Sequence, residues 1–200
     1  LATRRYFLEK KGVVIDGSKA LARADYDKNQ LYEYIREAVT EETERVHKYQ
    51  KAFNEIIKDF LAAHMLDVYQ AGFIDMKRQY LTIGVNGLTD AAEFLGLTIS
   101  PNPEYNEFVD VILEPINRSN KKDKTEFVPG ENLSGKNYKW DQKDGFYVSP
   151  KHNMYSSYFY NPEDDSLSMI DKFKLHGNEY VKHLDGGSAL HMNVAEHLSK

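Results

Sequence analysis

From Asp27 to about Phe60 apolar side chains recur at threes and fours, at Leu31, Ile35, Ala38, Val46, Tyr49, Phe53, Ile56, Ile57 and Phe60, with Glu and Lys between them. That rhythm matches the 3.6-residue turn and gives one apolar face, so the stretch is expected to be a long amphipathic helix or a broken pair. A short carboxylate at Asp27 can accept from first-turn amides while Gln30 reaches back, a capping-box-like start. A helix of such length must lie along something with a matching apolar surface, which commits the chain to a packed core.

The next signals alternate strand and helix. Tyr80 to Val85, YLTIGV, is rich in β-branched and aromatic residues, is too short for a helix, and reads as a buried strand. Asn86-Gly87 punctuates it, and LTDAAEFLG then reads as a short helix with Thr89 or Asp90 as N-cap and Gly96 as its stop. Pro103 favours the first position of a further helix carrying Tyr105, Phe108, Val109 and Ile112, which is expected to end where Pro115 interferes. Residues 116 to 145 are polar and turn-rich and read as a long surface excursion with a short extended piece at Glu126 to Val128. FYVSP and MYSSYFY look extended, and SLSMIDKFKLHG reads as a short helix, with Ser166 or Ser168 as cap and Gly177 as its end. The alternation points to α/β.

Composition excludes several classes of function. The 200 residues suffice for one domain of ordinary size, and 41% hydrophobic with 28% charged residues fits a soluble globular protein. A net charge of −5 leaves no electrostatic footprint for nucleic acid, and no apolar run approaches the length of a membrane span or a signal peptide. The expected location is the cytoplasm. With no cysteine, the chain itself has no disulfide, thiolate zinc site or thiol nucleophile. Leu1 opens the chain in mid-pattern, which gives the expectation of an internal segment of a larger protein.

Four local patterns invite a chemical reading. GENLSGKN, residues 130 to 137, nearly spells a phosphate-binding P-loop, but Asn137 replaces the hydroxyl, no full strand precedes it and no apolar helix follows. His183, His191 and His197 fall near Asp185 and Glu196, yet His191 and His197 are six apart and cannot share a helical face, so no metal site is expected. Glu163, Asp164 and Asp165 resemble an acid–base pair and are better read as a turn after Pro162. In MYSSYFY, Tyr155, Tyr158 and Tyr160 can stack a base or a sugar, and alternation puts Tyr158 and Tyr160 on one face with Phe159 on the other.

A fifth pattern is the double glycine near the end. Gly186 and Gly187 allow close backbone approach, and Ser188, Ala189 and Leu190 can open a helix whose free amides attract an anion. Asp185 brings a like charge to the same place. From the residues alone, a phosphate cradle and a tightly packed helix cap are equally good readings.

Taken in order, QYLTIGVNGLTDAAEFLG, EFVPGENLSGKNYKWD, MYSSYFYNPEDDSLSMIDKFKLHG and LDGGSALHMNVAEHLSK resemble the catalytic subunit of anaerobic, class III ribonucleoside-triphosphate reductases. The resemblance runs from about residue 79 to the end and touches the first 78 residues only in their helical character. It implies a fold: a partial α/β barrel of the glycyl radical enzyme type, with the long amphipathic helix near the N-terminus. Residues 1–200 would be an internal segment of one catalytic barrel domain, mainly helical over 1–78 and mixed strand, loop and helix over 79–200.

The resemblance also implies a chemistry in which a radical on a backbone glycine passes to a cysteine and the thiyl radical takes the substrate's 3′ hydrogen. ATP or dNTP effectors, a ribonucleoside triphosphate substrate, a radical S-adenosylmethionine activase and a homodimer go with it. Neither the radical glycine nor the thiyl cysteine falls within this chain, which is therefore expected to hold no catalytic residue and to be inactive alone. Gly186, Gly187, Ser188 and Ala189 become candidates for the substrate phosphates, and Tyr155, Ser156 and Tyr158 for the cleft lining. Ser156 stands where the family pattern leads one to expect asparagine. The competing reading is a non-catalytic binding or structural module derived from the same barrel.

Overall fold

The computed structural model describes residues 27–76, 81–123, 127–131, 136–137, 154–155, 158–162, 164–177, 180–184 and 190–191. The amphipathic stretch is one unbroken helix, α1 (Lys28–Ala62), about 50 Å long at 1.5 Å per residue. Its start is as the sequence indicated: the Asp27 carboxylate accepts from the Gln30 amide at 3.0 Å. A single turn of helix, α2 (Asp67–Gln70), follows.

Strand β1 (Leu81–Val85) leads into α3 (Leu88–Phe94), then α4 (Pro103–Asp123), then β2 (Phe127–Glu131), which pairs parallel to β1 from Leu81 opposite Phe127 to Val85 opposite Glu131. A parallel pair joined through helices is the α/β unit expected from the alternation. Barrel closure is not visible among the described residues, which are mostly helical. A second pair, β3 (Lys136–Asn137) with β4 (Met154–Tyr155), is antiparallel. The helix α5 (Met169–His176), capped by Ser168 and ended by Gly177, and a 3-10 turn at Val181–His183 complete the described elements.

Three boundaries differ from the sequence reading. Gly87, not Thr89 or Asp90, is the N-cap of α3; it sits at φ 76°, so the turn out of β1 uses a left-handed residue and the helix starts two positions earlier. Gly96, at φ 70°, closes α3 as expected, and the bonds from Leu97 N to Ala92 O and from Gly96 N to Glu93 O form a Schellman cap. The largest difference is at Pro115, which does not end α4. A proline inside a helix costs about 3 kcal/mol, but Ile116, Asn117, Ser119 and Asn120 beyond it are all buried, so packing outweighs the lost hydrogen bond. The expected excursion from 116 is thus helical to residue 123 and extended at 127–131.

MYSSYFY, read from the sequence as extended, is so only in part among its described residues. Met154–Tyr155 is extended and antiparallel to its partner, while residues 158–160 bend. Their backbone is drawn off line by the Tyr105 hydroxyl, which donates to the Phe159 carbonyl at 2.6 Å, and by Phe159 stacking on Tyr180 with ring centroids 4.5 Å apart. FYVSP lies outside the described residues.

The core forms where α1, α3 and α4 meet the C-terminal segment. Leu31, Tyr32 and Ile35 pack with Leu88, Ala92, Phe94, Phe108 and Val109, and the same cluster takes in Phe159, Tyr160, Leu175, Tyr180 and Leu184.

Candidate functional site

Helix α4 organises the site through polar side chains set among its buried apolar ones. Near its start Tyr105, held by an Asn102 cap at 2.8 Å, fixes Phe159. The Tyr105 hydroxyl is pushed well above its ordinary pKa, first by burial and then by Tyr180 and Asp90, so it stays a protonated donor. Five residues on, Asp110 meets the His183 ring at 2.6 Å, with Lys182 at 3.4 Å from the same oxygen. Asn117, seven residues further and on the same face, donates to the His183 carbonyl at 3.1 Å. One histidine is therefore gripped at its ring and at its main chain. At the far end Asn120 meets His47 of α1 at 2.8 Å, a contact between two buried side chains.

The grip on His183 matters because of the chain beyond it. Leu184 is buried in the core, Leu190 packs against that core, and the Tyr160 hydroxyl meets both the carbonyl of His191 at 2.7 Å and its amide at 3.1 Å. Residues 185 to 189, which include the phosphate candidates Gly186, Gly187 and Ser188, fall between these two points in the sequence. Those candidates and Ala189 lie outside the described residues, as does Ser156.

Tyr158 is the cleft candidate whose side chain is described, and it stands beside His191. Its ring is 5.2 Å from the His191 ring and stacks on Tyr160 at 6.1 Å. The division of faces holds, with Tyr158 and Tyr160 together and Phe159 apart, but Tyr160 and Phe159 are both buried and only Tyr158 is partly open. For Tyr155 the backbone alone is described, in β4.

Parts of two weaker motifs fall among the described residues and take their plainer readings. Lys136 and Asn137 lie in a strand, where a P-loop lysine would open a helix. Asp164 accepts from the Ser166 amide and hydroxyl at 2.9 and 2.6 Å, which makes it a turn former, and Asp165 is exposed. Glu163 and His197 lie outside the described residues. Among the described residues no group of three potential ligands is positioned for a metal ion, and no helix is long and apolar enough to cross a membrane.

In fold the chain is similar to anaerobic ribonucleotide reductases. It superposes on the Thermotoga maritima enzyme with citrate in the active site at a TM-score of 0.68 and 23% identity, covering 84% of this chain and 33% of that one. The same enzyme with dATP bound in the specificity site gives 0.68 and 23%, covering 84% and 30%, and its complex with dATP and CTP gives 0.67 and 23%, covering 81% and 29%. The chain thus spans about a third of the length of these structures. No curated protein matches it. The profile of the family described as anaerobic ribonucleoside-triphosphate reductase matches residues 19–200, and the chain belongs to that family. The match begins well before residue 79, so most of the first 78 residues are family sequence as well.

Proposed function

We propose that the chain is part of an anaerobic reductase that converts ribonucleoside triphosphates to deoxyribonucleotides by glycyl and thiyl radical chemistry. Its part in that enzyme is to supply barrel framework and to hold the substrate's phosphates with Gly186, Gly187, Ser188 and Ala189. The observation that carries the second role is the fixing of both flanks of residues 185–189, through His183 and Leu184 on one side and Leu190 and His191 on the other. Preorganised ends lower the entropy lost when main-chain amides gather around an anion, and glycine lets those amides approach it closely. Tyr158, with Tyr155 and Ser156 nearby in sequence, would line the adjoining cleft.

The radical glycine and the thiyl cysteine belong to other parts of the longer protein, and ATP or dNTP effectors act on it; related structures with dATP in the specificity site and with dATP and CTP support the binding of nucleotides. A radical S-adenosylmethionine activase, a homodimeric parent and a cytoplasmic location complete the reading. Activase-treated full-length protein should reduce a ribonucleoside triphosphate, whereas these 200 residues alone, without cysteine, should reduce none. Absence of reduction by the former, or turnover by the latter, would overturn the assignment.

A further inference from the structure

The apolar face of α1 does not stop where its cover stops. Leu31, Ile35 and Ala38 are buried, and Leu31 and Ile35 belong to the core cluster shared with α3 and α4. At 100° per residue, Tyr49, Phe53, Ile56 and Phe60 fall in the same sector of the helix, within about 60° of those three. Yet they are exposed at 69%, 56%, 47% and 45%. The second half of α1 rests on its neighbours through a different strip, including Thr43, His47 and Ile57, so the original face is carried out to the side and left bare. Met65, Val68, Phe73 and Ile74, past the helix end, are exposed as well.

Eight large apolar residues exposed in one stretch of 26 exceed the scattered hydrophobics of an ordinary surface. Their 4-3-4 spacing over Tyr49, Phe53, Ile56 and Phe60 is the spacing by which one helix receives the ridges of another. Two observations point to the occupant. The bare strip is continuous with an interface the chain already makes within its own fold, and related chains are about three times as long as the part matched here. We infer that this flank of α1 is a seam filled by an amphipathic helix of the same polypeptide, from outside these 200 residues. The seam extends the core of the longer protein across α1, and it stands independently of whether residues 185–189 hold phosphate.

Photo-crosslinking in the full-length protein tests this. Phe53 is replaced by benzoylphenylalanine, the protein is irradiated as a mixture of isotopically light and heavy chains, and the linked peptides are identified by mass spectrometry. The expected product joins position 53 to a peptide outside residues 1–200 within one chain, and the same probe at Glu44, on the polar side, gives no such product. A mixed light–heavy cross-link would assign the face to a second copy and overturn the proposal. Cross-links confined to residues 1–200, or none at Phe53, would leave the strip facing solvent and overturn it as well.

Discussion

The Tyr160 hydroxyl is bonded to both main-chain polar groups of His191, at 2.7 Å to the oxygen and 3.1 Å from the nitrogen. A single phenol thus sets the position from which the chain runs back toward the double glycine. Tyr160→Phe keeps the buried ring and removes this fixing. Because His191 is exposed and water can replace the lost partner, the expected loss of stability is about 1 kcal/mol. Chemical denaturation measures it. If the segment serves the substrate, the same variant of the full-length enzyme binds its nucleotide more weakly.

His47 and Asn120 join α1 to α4 across a buried seam. Asn120→Leu fills the space but leaves the imidazole short of this partner in a site with little access to water. The expected cost is about 2 kcal/mol, read as a lower denaturation midpoint with an unchanged slope. Substituting both residues by leucine should recover part of the loss, since the imidazole is then no longer buried against an apolar side chain. A double variant as unstable as the sum of its parts would contradict the pairing.

Tyr105 gives a pH dependence with a definite sign. Burial, Tyr180 and Asp90 raise its pKa in the fold above the value near 10 of an exposed tyrosine. A group raised in this way contributes stability that is fully present below the unfolded value and is lost as pH rises through the folded one. Stability should therefore show no pH dependence from this group between pH 6 and about 9, then fall above about 10. Tyr105→Phe should flatten the alkaline limb while lowering the neutral plateau, because the bond to the Phe159 carbonyl is gone. An alkaline limb identical in the variant would assign the effect to other groups.

Elements whose signals are local were legible in the sequence. Asp27 before the periodic run, Gly96 after LTDAAEFL and Ser168 with Gly177 around α5 each mark a boundary that the structure contains. What misled was local chemistry overruled by packing. Pro115 and the polar residues after it read as the end of α4, yet Asn117 and Asn120 are polar because they grip His183 and His47 from within the helix. Polar residues at helical spacing across the proline were the available signal: Asp110 and Asn117 are seven apart, two turns on one face. The partners themselves, 66 to 73 residues distant along the chain, have no local signature. The glycine pair was legible as a motif, and Tyr158 as a neighbour of ligand-sized aromatic surface. Their common reference point, the anchored main chain of His191, depends on long-range contacts.

The central claim is that the segment following His183 receives the substrate's phosphates. Its most direct test is calorimetric titration of the full-length enzyme and its Gly187→Val variant with the ribonucleoside triphosphate and, separately, with the corresponding nucleoside. A branched side chain at Gly187 should keep amides from closing on the anion, so the triphosphate is expected to bind at least about tenfold more weakly, or ~1.4 kcal/mol, with nucleoside binding and formation of the distant radical unchanged. Equal triphosphate affinity in the two proteins would contradict the claim and return the double glycine to a packing role.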